Sequence, residues 1–311
     1  MYAIVIHEFG GPEVLRVESL DEPVPQAGES LVDVTVAGIN YADLIFREGT
    51  PDRPLPAILG AEVVGRRRGD GRRVAVLMRS LGGYAQVVAA KDAHTVEIPD
   101  GIDDLQAAAL LGQGGTAYAA LTVAGRMRQH ETVVVTAAAG GVGHLAVQIA
   151  RALGAGRVIG VAGTAEKRKF VLESGADEAV DSASLDLRDV DLVLDMVGGP
   201  MLRAGLRSLK PFGRLVSVGS RGIESDVVVV EDDLGLPTVG LFGFWMQHVA
   251  DNRELLDEVA GAVFDLALRG KLRATIDRVV PLSRIPEAHI ALNTRETTGK
   301  LLIDTRSVVD G

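Results

Sequence analysis

TVVVTAAAGGVG (Thr132–Gly143) is the stretch of this sequence that decides the fold. Its first part is a β-branched run, which predicts a buried strand, and its closely spaced glycines predict a tight turn. After the turn, apolar residues recur at helical spacing, and His144, Gln148 and Arg151 occupy the opposite face. The apolar positions are Val142, Leu145, Ala146, Ile149 and Leu153.

The glycine turn lies where the predicted helix begins, and such a position suits a phosphate group. The free N–H groups of a first helical turn and the positive end of the helix dipole attract anions when side chains leave room. A second strand at Val158–Val161 completes the context of a dinucleotide-binding fingerprint. Ala138 replaces the first glycine of the G-x-G-x-x-G pattern, and a plain tight turn is the alternative. The predicted pyrophosphate contacts are Ala139, Gly140, Gly141, Val142 and Gly143.

The choice of cofactor is predicted from the end of the second strand, about 20 residues beyond the turn. A carboxylate there would bind the ribose 2′-hydroxyl of NAD and repel a 2′-phosphate. The region carries Gly163, Thr164, Lys167 and Arg168, and no carboxylate ends the strand. Hydroxyl and cationic groups donate hydrogen bonds to a phosphate, so the sequence favours NADPH over NADH. The alternative is that both basic residues lie in solvent, where Glu166 would reduce their field.

Strand and helix patterns alternate through the second half of the chain. Aliphatic runs at Leu192–Asp195 and Leu215–Val218 follow helix-length segments, which predicts a doubly wound parallel sheet with right-handed crossovers. About the first 100 residues instead show short apolar runs broken by Gly, Pro and Asp, typical of a mostly β region. The tail predicts a long helix, Asn252–Leu268, and a short β, α, β remnant that should pack on the N-terminal lobe. The predicted fold class is α/β with two lobes.

One predicted hairpin carries a cluster of arginines. Its turn is Asp70-Gly71, between Val63–Gly65 and Val74–Leu77. The arginines are either a basic patch for an anionic ligand or a solvated edge protected by charge. They are Arg66, Arg67, Arg68, Arg72 and Arg73.

Composition excludes several classes of function. The 311 residues carry a formal net charge of −10, which argues against a nucleic-acid partner because phosphate backbones bind basic surfaces. Without cysteine, disulfides and thiolate zinc sites are excluded. The six histidines are scattered without metal-ligand spacing, and no apolar run reaches membrane-spanning length. We expect a cytoplasmic protein with no membrane partner and no bound metal.

Several motifs in the same order along the chain resemble the zinc-free quinone oxidoreductase branch, also called zeta-crystallin-like, of the medium-chain dehydrogenase/reductase superfamily. The opening hairpin from Met1 to Leu15 is similar to that of the family, and AGINYAD (37–43) resembles its active-site segment. The A-A-x-G-G-V-G form of the glycine turn, at 137–143, is characteristic of this branch. The segment from Val161 to Lys167 is similar to its NADPH-selecting strand end.

The resemblance implies reduction of a quinone, or of the alkene of an α,β-unsaturated carbonyl compound, by hydride from NADPH. Zinc-dependent relatives carry a cysteine in the active-site segment and a histidine in a G-H-E motif, which here reads Gly60-Ala61-Glu62. The implied chemistry is therefore independent of zinc. An enoyl-thioester reductase of fatty-acid or polyketide type and a non-catalytic NADPH-binding protein are the alternatives.

The resemblance also implies site residues. The predicted catalytic contacts are Asn40, Tyr41 and Asp43, and the further cofactor contacts are Thr116 near the nicotinamide, Gly219 and Lys300. Asn40 and Asp43 could instead form a capped turn, Tyr41 a packed loop aromatic, Gly219 a turn glycine and Lys300 a surface lysine. Many members carry a tyrosine where this chain has Ile45, and the link from Gly65 to Val74 is shorter than usual.

The implied architecture is a Rossmann doubly wound parallel sheet plus a mostly β GroES-like catalytic domain. Residues 114–243 form the Rossmann NADP-binding domain, and residues 1–113 and 244–311 form the catalytic domain. The apolar run Val239–Gly243 resembles the edge strand through which this family dimerises. The resemblance therefore implies a homodimer, with a covered internal edge as the alternative.

Overall fold

The computed structural model describes residues 1–49, 54–184, 186–219 and 230–308, and the chain divides into two compact units. The first unit comprises Met1–Gly112, Gln247–Phe264 and Ala274–Gly311, and the second comprises Gln113–Met246 and Asp265–Arg273. Residues 265–273 therefore group with the second unit, outside the range 114–243 that the sequence suggests for it. Gln148 ties this segment there, because its side-chain amide exchanges hydrogen bonds with the backbone N–H (2.9 Å) and carbonyl (3.0 Å) of Arg273.

The strands are numbered in chain order. They are β1 (Tyr2–Ile6), β2 (Arg16–Ser19), β3 (Glu29–Ile39), β4 (Ala57–Ile58), β5 (Glu62–Arg67), β6 (Arg73–Leu77), β7 (Val87–Lys91), β8 (Thr95–Glu97), β9 (Thr132–Val135), β10 (Arg157–Ala162), β11 (Glu178–Asp181), β12 (Val190–Asp195), β13 (Leu209–Ser217), β14 (Gly240–Gly243), β15 (Ile276–Pro281) and β16 (Lys300–Asp304).

The helices follow the same convention. They are α1 (Tyr41–Glu48), α2 (Asp104–Ala109), α3 (Gly115–Ala119), α4 (Gly141–Ala152), α5 (Ala165–Glu173), α6 (Pro200–Ser208), α7 (Met246–Ala250), α8 (Arg253–Leu268) and α9 (Ile285–Asn293). Single 3-10 turns lie at Pro12–Val14, Asp92–His94, Ser182–Ser184 and Leu282–Arg284, and π-helical turns lie at Leu110–Gly114, Ala120–Ala124 and Val230–Gly235.

A parallel sheet forms the centre of the second unit. Within the described ranges its strands lie in the order β11, β10, β9, β12, β13, β14, and every neighbouring pair is parallel. Numbered within the sheet, this is the order 3-2-1-4-5-6 of a Rossmann fold. The predicted doubly wound sheet is confirmed. The strand order reverses between β9 and β12, and in such sheets ligands bind outside the carboxyl ends of the strands at that point.

Helix α4, which follows the glycine turn, is more buried than the sequence suggests. Its apolar residues pack toward the sheet, and α3 packs against it as well. His144, predicted on the polar face, is fully buried. Its Nδ1–H donates to the Gly140 carbonyl at 2.8 Å, and its ring lies beside that of Phe170. This hydrogen bond satisfies a ring nitrogen that burial removes from water.

The first unit is mostly β. In its described part, one sheet has the order β15, β16, β3, β5, β6, β8, with β7 also paired to β3, and a smaller sheet has the order β2, β1, β4. The predicted packing of the tail is confirmed, because β16 pairs with β3 antiparallel and α9 packs against α1. The core between the sheets includes Ile4, Ile6, Val34, Ile39, Leu59, Val63, Val76, Ile285 and Ile303.

The hairpin between β5 and β6 forms as predicted, with Gly69 and Gly71 at positive φ in its turn. Four of its five arginines are paired with carboxylates, and Arg66 donates to the Gly71 carbonyl. Arg68 donates to Glu22 (2.6 Å) and Asp33 (2.7 Å). The same holds for Arg67 with Asp70 and Glu97, for Arg72 with Glu97 and for Arg73 with Asp104. This pairing argues against a basic ligand site. The hairpin is not a sheet edge either, because β5 also pairs with β3 and β6 also pairs with β8.

Candidate functional site

The glycine turn connects β9 to α4 as the sequence predicts. The Ala138 N–H donates to the Val161 carbonyl at 3.0 Å, which ties the turn to β10. Gly140 precedes the helix in an extended conformation, and its N–H donates to the Ala137 carbonyl at 2.9 Å. Ala137, not a glycine, adopts the left-handed conformation, with φ of 45°. The glycines are therefore needed for close approach rather than for positive φ.

Two glycines of the turn leave no room for a side chain. A Cβ on Gly143 would clash with the Ala137 carbonyl oxygen and lie 2.7 Å from the Ala138 Cα, and a Cβ on Gly141 would clash with the Gln113 side chain. At the helix start, the N–H groups of Gly141 and Val142 have no carbonyl within the helix to bond. Both residues are half-buried, at the carboxyl edge of the sheet. The turn thus fits a pyrophosphate, as a dinucleotide requires.

The carboxyl end of β10 holds the residues predicted to select NADPH. Thr164 caps α5, and its hydroxyl accepts the Lys167 N–H at 3.2 Å. Arg168 forms an ion pair with Asp181 at the end of β11, at 2.7 Å. The pKa of Glu166 is lowered because its own backbone N–H and the Thr164 hydroxyl bond its carboxylate. Sequence reasoning missed Asp181, since no local pattern shows that β11 lies beside β10.

In the first unit, Asn40 and Asp43 cap helix α1. The Asn40 N–H donates to Asp43 Oδ2 at 2.8 Å, and the Asn40 side chain accepts from the Asp43 N–H. This is a capping box. The capped turn that the sequence left open is present, and it holds Asn40 and the half-buried Tyr41 at the start of the helix.

A buried ion pair fixes the side chain of Asn40. Its Nδ2 donates to Glu62 Oε1 at 2.9 Å, and its Oδ1 accepts from Lys300 Nζ, also at 2.9 Å. Lys300 and Glu62 bond each other directly. Lys300 is completely buried and Glu62 is 4% exposed. Lys300 is thus not a surface lysine, and it contacts the Ile39 carbonyl and Asn40 in this structure.

The Glu62 carboxylate lies in a slot that glycines keep open. A Cβ on Gly38 or on Gly112 would clash with its oxygens. The ammonium of Lys300 neutralises the carboxylate there, which removing a charge from water requires. Ala61, at the place of the histidine in the G-H-E motif, carries no metal ligand.

A second buried network begins at Asp43 and ends at Arg47. The Arg47 Nη1–H donates to His289 Nδ1 at 3.2 Å, so the His289 Nε2–H donates to the Tyr84 oxygen, also at 3.2 Å. The Tyr84 hydroxyl in turn donates to Asp43 Oδ2 at 3.0 Å. The other oxygen of Asp43 has no partner among the described residues. The network orients Asp43, which in turn accepts the Asn40 N–H.

Burial changes the pKa values of this network in opposite directions. It raises the pKa of Asp43 to about 6, and it raises the pKa of Tyr84 well above the ordinary value of a tyrosine. It lowers the pKa of His289 to about 3, and the positive charge of Arg47 acts in the same direction. At neutral pH the histidine is therefore neutral, and Asp43 is an ionised carboxylate that takes up a proton in weak acid.

We expect Asp43→Asn to make the acid side of the stability curve steeper. Protonated Asp43 contributes stability below about pH 4, and this is lost as the pH rises through about 6. His289 has the opposite effect on stability. Between about pH 6.5 and about pH 3 its imidazole is protonated in the unfolded chain but not in the folded one, so stability falls as the pH falls. The two contributions offset each other in wild type between about pH 4 and pH 6. Without the aspartate only the histidine contribution remains.

Urea unfolding at a series of pH values tests this expectation. The unfolding free energy of the variant minus that of wild type should rise by about 3 kcal/mol as the pH increases from about 4 to about 7. A constant difference across that range would show that Asp43 keeps an ordinary pKa. Asp33→Asn, which removes an exposed carboxylate, is the control.

The remaining predicted residues lie in the second unit. Thr116 is half-buried on α3. Gly219 follows β13 at the carboxyl edge of the sheet, where a Cβ would meet no atom within 4 Å. Both positions stay predictions as cofactor contacts. The apolar run Val239–Gly243 contains β14, which pairs with β13 alone among the described strands.

The sequence matches two domain families. The family described as alcohol dehydrogenase GroES-like domain matches residues 26–100, and that described as zinc-binding dehydrogenase matches residues 141–261. Among whole proteins, the chain is 32% identical over 330 residues to quinone oxidoreductase of Homo sapiens, covering 97% of each protein. The chain belongs to the quinone oxidoreductase branch of the medium-chain dehydrogenase/reductase superfamily.

Solved structures similar to this chain have the same fold. Quinone oxidoreductase of Escherichia coli, complexed with NADPH, aligns with a TM-score of 0.92 at 29% identity, covering 98% of this chain and 100% of that chain. A 2-haloacrylate reductase aligns with a TM-score of 0.87 at 27% identity, covering 99% of this chain and 100% of that chain. The predicted Rossmann and GroES-like architecture is confirmed.

The described part of the chain contains neither a grouped set of metal ligands nor a membrane-spanning helix. In the ranges that the structure covers, no three histidine or carboxylate side chains are grouped to hold a metal ion. No helix in the same ranges has the length and apolar character needed to cross a bilayer.

Proposed function

We propose that the protein is an NADPH-dependent oxidoreductase that reduces quinones or α,β-unsaturated carbonyl compounds by direct hydride transfer without zinc. The glycine turn at the start of α4 carries this proposal, because it offers a pyrophosphate site at the switch point of a Rossmann sheet. The quinone oxidoreductases that the chain resembles along nearly its full length support the reaction class.

Residues of both units have roles in this proposal. In the second unit, the turn from Ala139 to Gly143 would hold the pyrophosphate, and Thr164, Lys167 and Arg168 would meet the 2′-phosphate. Thr116 and Gly219 would lie along the cofactor. The bound nicotinamide supplies the hydride. Reduction of a quinone to the hydroquinone takes one hydride and one proton.

In the first unit, Asn40 and Tyr41 are the proposed contacts to the acceptor or nicotinamide. Asp43, Glu62 and Lys300 are positioning residues, because each is buried and bonds Asn40. The Lys300 ammonium on Oδ1 polarises the Asn40 amide, which strengthens its Nδ2–H groups as donors toward a carbonyl.

Turnover of NADPH against a panel of acceptors tests the proposal. Oxidation of NADPH should accompany reduction of quinones, enals or enones, and wild-type protein with NADH serves as the comparison. Preference for enoyl thioesters would favour the carrier-linked reductase. Tight binding of NADPH without turnover of any member would contradict the reductase function and favour a non-catalytic binding protein.

Lys167→Ala should weaken NADPH binding by about tenfold and leave NADH nearly unchanged, because the ammonium would bond only the 2′-phosphate. Fluorescence titration of both cofactors measures the effect. Lys169→Ala is the matched control, since Lys169 lies on the same helix with its side chain 80% exposed beside Glu173. Equal losses for both cofactors would refute the assignment of Lys167.

A homodimer through β14 and a cytoplasmic location complete the proposal. Among the described strands β14 lies at the sheet edge, and its Phe242 and the following Trp245 are 42% and 47% exposed. Large exposed aromatics on a strand edge that no described strand covers suit pairing with a second copy. A monomer mass by sedimentation at micromolar concentration would contradict the dimer.

A further inference from the structure

An arginine and an aspartate meet at the shared carboxyl edge of β10 and β11. The strands are parallel, with Ala162 opposite Asp181 in the register. Arg168 Nη1 donates to Asp181 Oδ2 at 2.7 Å, and to the carbonyls of Ala162 and Gly163 at 3.3 Å each. The guanidinium therefore lies across the end of β10, where the ribose of a dinucleotide binds in this fold.

Asp181 is held in place on both of its oxygens. Oδ1 accepts the Ala183 N–H at 2.9 Å, while Oδ2 holds Arg168. The carboxylate that is missing from the end of β10 is therefore supplied by the neighbouring strand. Because it lies at the same edge, it affects the electrostatics of the ribose site that the sequence predicts at Thr164, Lys167 and Arg168.

A 2′-phosphate and the Asp181 carboxylate are both anions, and they would compete for one guanidinium. A ribose 2′-hydroxyl meets no such opposition, because it is neutral and a carboxylate accepts its hydrogen bond. We infer that Asp181 lowers the preference of this protein for NADPH over NADH by holding Arg168 and by opposing the 2′-phosphate with its own charge. The inference rests on the cofactor site of the proposed function and makes Asp181 a residue that determines specificity.

Asp181→Asn tests the inference with half-cofactors, so that no turnover is needed. Asparagine keeps an oxygen for the Ala183 N–H and removes the charge. Calorimetry measures the Kd of adenosine 2′,5′-bisphosphate and of adenosine 5′-monophosphate. We expect the ratio of the monophosphate Kd to the bisphosphate Kd to rise by about tenfold. A ratio that falls, or that stays within about twofold of wild type, would overturn the inference.

Glu178→Gln is the matched control. Glu178 is the first residue of β11, and it pairs with Arg157 of β10 at 2.7 Å, so the same two strands carry a second ion pair at their opposite end. This variant removes the same charge far from the ribose edge and should leave the ratio unchanged. An equal rise in the control would assign the effect to net charge and overturn the inference.

A replacement variant and the binding of wild-type protein separate failure of this inference from failure of the proposed function. Asp181→Ser, whose hydroxyl can also accept the Ala183 N–H, replaces the asparagine variant if that variant does not fold. Wild-type protein that binds neither adenosine ligand would overturn the proposed function together with this inference. Binding of both ligands, with a ratio that does not respond to either substitution, would overturn this inference alone.

Discussion

Gly143→Ala is expected to weaken NADPH binding by more than about 100-fold, as a displaced phosphate turn loses several charge-assisted hydrogen bonds. The added methyl group would clash with the Ala137 carbonyl oxygen and lie 2.7 Å from the Ala138 Cα. Both are backbone atoms, so the turn itself must move. The N–H groups at the start of α4 would then no longer converge on a pyrophosphate. Calorimetric titration with NADPH measures the loss.

Gly261→Ala is the control for this substitution. Gly261 lies within α8, and a Cβ there meets no atom within 4 Å. Alanine at that position should raise the free energy of unfolding by about 0.5–1 kcal/mol and leave NADPH affinity unchanged. Wild-type affinity in the Gly143 variant would show that the turn is not the phosphate site.

Lys300→Met is expected to lower the free energy of unfolding by about 3–5 kcal/mol, because it leaves the Glu62 carboxylate buried without its counter-charge. Lys300 is completely buried, and Glu62 is only 4% exposed. The Asn40 amide would also lose its donor on Oδ1. Urea unfolding measures the loss of stability. Under conditions in which the variant is folded, its kcat should be lower than that of wild type.

Two comparisons make the test specific. Glu62→Gln combined with Lys300→Met removes both charges and should recover part of the lost stability. Lys169→Met breaks an exposed pair with Glu173 and should have no resolvable effect. A loss below about 1 kcal/mol in Lys300→Met would show that solvent reaches the pair.

The fold was predictable because its signals are local. The strand, turn and helix around Gly140–Gly143 contain their own boundaries, and the alternation of patterns up to Leu215 predicts a parallel sheet. The Asp70-Gly71 turn likewise predicts the hairpin of β5 and β6. Each strand, turn and helix in these patterns is marked by neighbours within a few residues of the chain.

Much of the site depends on contacts between distant parts of the sequence. Tyr84 meets His289 across 205 positions, and Lys300 meets Glu62 across 238. No periodicity marks such pairs. Asp181 was missed for the same reason, because its effect on Arg168 follows from strand pairing. The burial of the Asp43 carboxylate was not predictable either, because a capping pattern does not reveal how far a side chain lies from solvent.

The pairing of the hairpin arginines has a consequence for the kinetics of ligand capture. Four of these five side chains are bonded to carboxylates, and the formal net charge is −10. The hairpin therefore adds no long-range attraction for a polyanionic dinucleotide, which approaches a protein of like sign. Between a ligand and a protein of like net charge, added salt screens repulsion and favours faster association, while the contacts made at close range determine the residence time.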